Sequence, residues 1–111
     1  MVDRQGSVNY SSHVFDLVKS SLFDRWLAHL RDRRAKARIE ARIRRMSLGN
    51  PGDIRGLGGS LFEMRIDFGP GYRVYYTQRG TRVILLLCGG DKSTQAKDIV
   101  LAKRLVKELK E

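Results

Sequence analysis

The sequence predicts an α+β domain, and three observations carry that prediction. Residues 61–68 alternate with period two, placing Phe62, Met64, Ile66 and Phe68 on one face and Glu63, Arg65 and Asp67 on the other. Between residues 21 and 46 the apolar positions recur at helical spacing instead. Glycine-bearing turns at Gly69-Pro70-Gly71 and Arg79-Gly80 then cut the second half into short strands, which reads as an antiparallel meander.

Taken in order, residues 1–11 carry small and polar types with no period and predict a flexible N-terminal tail, leaving 12–111 as a single domain. Residues 13–18 predict a short strand. Ser21 followed by Asp24 has the look of a capping box, and Phe23, Trp26, Leu27 and Leu30 follow at helical spacing. Asp32 opens a second helix whose apolar stripe is Ala35, Ile39, Ile43 and Met46, with Gly49 as its stop. The result is a helical hairpin broken near Arg31-Asp32. Residues 49–60, with five glycines and a proline, predict a loop that contains Arg55. The meander occupies 61–68, 72–78 and 81–88. A final helix runs to about residue 110 on a stripe of Ile99, Ala102, Val106 and Leu109, widened by Leu101 and Leu105.

Composition narrows the partners. The chain has 111 residues and a net charge of +10, which favours nucleic acid or an acidic protein as partner. From Arg31 to Arg45 eight basic residues stand against two acidic ones, a surplus of six on one short segment. Such clustering binds phosphates in a salt-dependent way, or is simply a solvated helix face. No apolar run reaches the ~18 residues of a membrane span, and no secretory signal is visible at the start. The single Cys88 excludes an internal disulfide, suits the cytoplasm, and reads as a small core residue at the end of an apolar strand.

The chemistry within reach is limited. His13 and His29 are not at metal-ligand spacing with any Cys or Asp pair, so no metal and no cofactor is expected. No Ser-His-Asp device, P-loop or dinucleotide fingerprint is present. If Val74 faces the core with Tyr72 and Tyr76, then Arg73 and Tyr75 join Glu63 and Arg65 on the polar sheet face. That face suits a phosphate-bearing partner, or is solvated and inert. Arginine, lysine and tyrosine can cleave RNA without metal or histidine. The RNA supplies its own 2′-OH to attack the adjacent phosphate, while the protein aligns the groups and neutralises the developing charge.

A set of landmarks gives a resemblance across residues 15–105. They are Phe23-x-x-Trp26-Leu27-x-x-Leu30-x-Asp32, Ala35-x-x-Arg38-Ile39, Gly49-Asn50-x-Gly52-Asp53, Glu63-x-Arg65-Ile66, Gly69-Pro70-Gly71-Tyr72-Arg73-Val74-Tyr75 and Leu87-x-Gly89-Gly90-Asp91-Lys92-x-x-Gln95. In this order they resemble the addiction module killer protein branch of the RelE/HigB-like toxins, within the phage Gp49-like/HigB superfamily of type II toxin–antitoxin systems. The resemblance implies a RelE/ParE-like α+β fold, with an N-terminal strand and helical hairpin packed on a small, mostly antiparallel sheet and a C-terminal helix. It implies a ribosome-dependent mRNA endonuclease in the cytoplasm. The partners it implies are a cognate antitoxin with a helix-turn-helix, HigA-like, operator DNA reached only through that antitoxin, and mRNA on the ribosome; no membrane is involved.

Carried over residue by residue, the resemblance makes Arg65, Arg73 and Lys92 the catalytic set. Arg55, Glu63, Tyr75 and Gln95 become substrate-binding residues. Relatives often have lysine where Arg55 stands, and neither histidine lies where histidine-using relatives place theirs. The three catalytic side chains are expected to face solvent. An ion pair of Arg65 with Glu63 or Asp67 is the purely structural alternative. Two other functions share these features: a ParE-like inhibitor of DNA gyrase without nuclease activity, and a non-catalytic nucleic-acid-binding module.

Overall fold

The computed structural model describes residues 14–109; the expected tail over 1–11, His13, and residues 110–111 lie outside them. The elements run β1 (Asp16–Lys19), α1 (Ser21–Ala28), α2 (Arg33–Ser47), β2 (Ile54–Gly58), β3 (Leu61–Ile66), β4 (Tyr72–Arg79), β5 (Val83–Asp91), a 3-10 turn (Lys92–Thr94) and α3 (Gln95–Leu109). The five strands form one sheet in the order β1-β5-β4-β3-β2. Strand β1 pairs parallel with β5, and all other pairs are antiparallel. This is the α+β architecture the sequence predicts.

The helical hairpin forms for local reasons. Asp32 caps α2 by accepting from the backbone N–H of Arg34 at 2.9 Å and of Ala35 at 3.2 Å. The predicted stripe of Ala35, Ile39, Ile43 and Met46 is buried without exception. It packs with Phe23 and Leu27 of α1 onto Met64, Ile66, Val74, Tyr76 and Leu86 of the sheet. Each of these larger side chains contributes roughly 1.5–3 kcal/mol by leaving water.

The opposite face departs from expectation. It is not half solvated, because α3 lies across it and packs Ala102 and Val106 on Leu61, Tyr75, Leu87 and Cys88. Period two says which residues share a face but not what covers it. The ladder slips between Tyr75 and Tyr76, so Leu87 has no opposite residue and joins Cys88 on the α3 side. At the end of β5 two glycines allow close packing. A Cβ on Gly89 would overlap the Trp26 ring, and one on Gly90 would overlap the Asp98 carboxylate.

Three boundaries also differ. The first strand begins at Asp16 rather than residue 13, because its parallel partner begins at Val83, opposite Asp16. Ser20, not Ser21, caps α1: its Oγ accepts from the Phe23 N–H at 3.0 Å and donates to the Leu87 carbonyl at 2.5 Å, which ties the helix start to β5. The predicted loop at 49–60 contains strand β2. Glycine is tolerated there because β2 is an edge strand with a bulge between Gly56 and Gly58, while Ile54 and Leu57 still pack partly against the sheet. Among the described residues no helix is long and apolar enough to cross a membrane.

The contact at Gly89 is testable. Gly89→Ala is expected to destabilise the fold by about 1–3 kcal/mol through overpacking against Trp26. Urea denaturation reads this directly, and an unchanged midpoint would show that the indole swings aside.

Candidate functional site

The site is organised by a carboxylate with no solvent exposure, that of Glu63 on β3. Strand register brings its neighbours. Arg55 of β2 and Tyr75 of β4 sit directly opposite Glu63 on either side. The Tyr75 hydroxyl donates to Glu63 Oε2 at 3.1 Å, and Gln95, the first residue of α3, donates its Nε2 to the same oxygen at 2.8 Å. Arg55 Nε lies 3.3 Å from Oε1, and Arg73 Nε lies 4.0 Å from Oε2. Four of the other six predicted site residues therefore converge on the Glu63 carboxylate. Burial first, and Glu63 second, push the Tyr75 phenol well above its ordinary range, so it stays a donor.

The cluster is compensated in charge but not saturated in hydrogen bonds. Glu63 Oε1 and Arg73 Nε are buried without a hydrogen-bond partner. At 4.0 Å the Arg73–Glu63 contact is too long to be one, and Arg55 meets Oε1 at ion-pair distance only. Only 11% of the Arg73 side chain is exposed, which corrects the expectation that it faces solvent. Its Nη1 donates to the Tyr72 carbonyl at 3.1 Å.

Lys92 comes to the same place. It is exposed at the start of the 3-10 turn, which Asp91 fixes by accepting from the Ser93 N–H at 2.8 Å and the Ser93 hydroxyl at 2.5 Å. These bonds hold the Asp91 carboxyl below its ordinary range. Arg73 Nη1 and the Lys92 Cδ approach Gly71 together: a Cβ there would lie 3.5 Å from each.

Arg65 behaves differently. It stands directly opposite Arg73, yet its guanidinium is held by Asp53, with Nη2 at 2.9 Å and Nε at 3.3 Å from Oδ1. The ion-pair partner is thus neither Glu63 nor Asp67. The hydrogen bond from Arg65 is the foremost cause of an Asp53 carboxyl held below the usual carboxylate range. Behind them stands Arg42 of the basic helix, which donates to the carbonyls of Arg65 at 2.8 Å, Pro51 at 3.1 Å and Asp53 at 3.3 Å. Its guanidinium lies against Gly52, where φ is +74° and a Cβ would come within 3.0 Å. Asp53 and Arg42 escaped the sequence reading as site residues. Asp53 stood among the landmarks, but no spacing rule joins it to a residue twelve positions later.

Four arginines of α2, Arg38, Arg42, Arg44 and Arg45, line an open groove of about 620 Å³ with Ile66 and Asp67. Arg38 stacks over the Phe68 ring at 4.7 Å. Cys88 is buried and its thiol is pushed up to about 12, first by burial, as a core residue should be. Among the described residues no group of three or more His, Cys, Asp or Glu side chains is placed to hold a metal ion. What the cluster offers chemically is two guanidinium groups around one buried carboxylate, with the Lys92 side chain beside Arg73 at Gly71.

Residues 25–107 match the family described as "Phage derived protein Gp49-like (DUF891)". The chain is also 54% identical over 93 residues to an uncharacterized protein of Haemophilus influenzae (strain ATCC 51907 / DSM 11121 / KW20 / Rd), covering 83% of this chain and 94% of that protein. The chain belongs to the Gp49-like family, and with it to the toxin superfamily of toxin–antitoxin systems.

Two measurements check the buried groups on this side of the sheet. Glu63→Ala is expected to cost about 3–5 kcal/mol in urea denaturation, because it strands the mostly buried Arg73 guanidinium. The native protein is expected to leave Cys88 unreactive to a thiol reagent at pH 8, with full reaction only in denaturant; rapid labelling of the folded chain would contradict its burial.

Proposed function

We propose that this member of the Gp49-like family is the toxin of a type II toxin–antitoxin module, acting in the cytoplasm as a ribosome-dependent mRNA endonuclease. The observation that carries the reading is the convergence of Arg73 and Lys92 beside Gly71, backed by the buried Glu63 that also draws in Arg55 and Gln95. A scissile phosphate at that point meets a guanidinium fork and an amine. The RNA's 2′-OH attacks the adjacent phosphorus in line, the bond to the 5′-oxygen breaks, and a 2′,3′-cyclic phosphate and a 5′-OH end result. Arg73 and Lys92 neutralise the charge that builds on the equatorial oxygens. Arg55 and Gln95 hold flanking backbone.

Glu63 and Tyr75 have no exposed surface, so their part in this reading is to position Arg55, Arg73 and Gln95 rather than to touch RNA. Arg73 is held at Nε by the charge of Glu63 and at Nη1 by the Tyr72 carbonyl, which orients the guanidinium before substrate arrives. A cognate antitoxin with acidic segments fits the same positive surface, since it would offset the charge left unpaired on α2 and around Arg73.

Induced expression tests the reading. Amino-acid incorporation is expected to collapse before DNA synthesis, with new 5′-OH ends on mRNA that need ribosomes to form. Loss of supercoiling with translation intact would favour a gyrase inhibitor, and harmless expression a plain binding module. Arg73→Lys keeps the charge and loses the fork, and Lys92→Ala removes an exposed side chain. Each is expected to fold and to slow cleavage by about 10²–10³. Full toxicity in both variants would remove these residues from the site. The antitoxin complex is expected to weaken as salt rises, and a salt-independent affinity would point to an apolar interface instead.

A further inference from the structure

The Asp53–Arg65 pair has features that a purely structural ion pair does not need. Both partners are open to solvent, with 55% of the Asp53 side chain and 39% of the Arg65 side chain exposed. The main chain of Asp53 is held independently of its carboxylate. Its carbonyl accepts from the Arg65 N–H at 2.9 Å and from Arg42 Nη2 at 3.3 Å. The carboxylate is therefore free to swing away without moving β2 or β3.

Its place is an anion's place. One oxygen, Oδ1, accepts from both Nε and Nη2 of Arg65, the edge of the guanidinium that a phosphate oxygen also engages. Arg42 and Arg73 add to Arg65 in favouring negative charge at that carboxylate. Arg73 stands directly opposite Arg65 in the sheet, so the position borders the cluster around Glu63.

We infer that the Asp53 carboxylate is an internal stand-in for a substrate phosphate: it fills an anion subsite on Arg65 that a phosphodiester of the RNA, next to the cleaved one, takes over on binding. The inference rests on the endonuclease reading only for the source of that phosphate. Asp53 then sets affinity by competition. It keeps Arg65 ordered and occupied in the free protein, and it makes weakly charged ligands poor competitors for the subsite. A phosphodiester that also contacts Arg73 gains from two guanidinium groups what Asp53 gains chiefly from one.

The test uses the full chain, wild type and Asp53→Asn, with inorganic phosphate as probe. The amide keeps the shape and the backbone hydrogen bonds of Asp53 while removing the competing charge. The Arg65 Nε–H resonance is followed as phosphate is added. Its midpoint is expected to fall by about two- to fivefold in Asp53→Asn, the range that an exposed ion pair commonly contributes. A short RNA made non-cleavable by 2′-O-methyl groups is expected to tighten by a similar factor in fluorescence anisotropy. An unchanged phosphate midpoint would overturn the inference. A raised one would do so as well, because it would mean that Asp53 holds Arg65 ready for the anion instead of competing with it. A lower phosphate midpoint with unchanged RNA affinity would overturn the RNA source. A lower midpoint with RNA neither bound nor cut by either chain would uphold the subsite and defeat the endonuclease reading.

Discussion

The carboxylate of Glu63 is the constraint around which the site is built. A group with that charge and no exposure on an inner strand must collect donors, because burying it alone costs far more than the fold can supply. The sheet register provides two candidates at once, Arg55 and Tyr75, directly opposite on the flanking strands. The start of α3 provides a third in Gln95. Once these are in place, Arg73 is drawn toward the remaining negative charge through Nε, and its Nη1, which donates to the Tyr72 carbonyl, lies beside Gly71 and Lys92. A single buried anion thus sets the positions of cations contributed by separate strands.

That arrangement also explains which parts of the chain were legible in its sequence. The α2 stripe was readable because Ala35, Ile39, Ile43 and Met46 face one apolar layer and nothing interrupts their period. The meander was readable for the same reason, and so was the grouping of Glu63, Arg65, Arg73 and Tyr75 on one face. What covers that face was not readable. The α3 helix packs on Tyr75 and reaches Glu63 through Gln95, contacts that no local pattern encodes, and Arg73 is more enclosed than its polarity suggested. Strand β2 was hidden by its glycines, whose propensity argues for a loop while edge pairing with β3 makes a strand. Asp53 was visible as a residue and invisible as a partner, since its pairing with Arg65 depends on how the turn into β2 lies over β3.

The net charge of +10 is likewise not one property but several. Arg42 spends its donors on three carbonyls and acts as a clamp between α2 and the turn before β2. Arg38 lies on an aromatic ring. Arg55 and Arg73 offset a buried carboxylate, and Arg65 an exposed one. Lys92 stands on a turn fixed by the Asp91 carboxylate and has no counter-ion among the described residues. Counting charges along the chain would treat these residues alike, whereas their surroundings divide them into those tied into the fold and those left exposed.

The two unpartnered atoms in the cluster, Glu63 Oε1 and Arg73 Nε, bear on why it exists. Each buried group without a hydrogen bond costs roughly 1–3 kcal/mol. A core selected for stability alone would close a gap of 4.0 Å between opposite charges, or replace the pair with apolar side chains of similar volume. Here the gap persists beside a fully buried carboxylate, where Arg73 and Lys92 both approach Gly71. Local conflict with packing rules concentrated at a cationic convergence supports the proposal that this is a ligand site. The exposed Asp53–Arg65 pair on the adjoining strands fits that view, because it holds the neighbouring guanidinium in order without burying it.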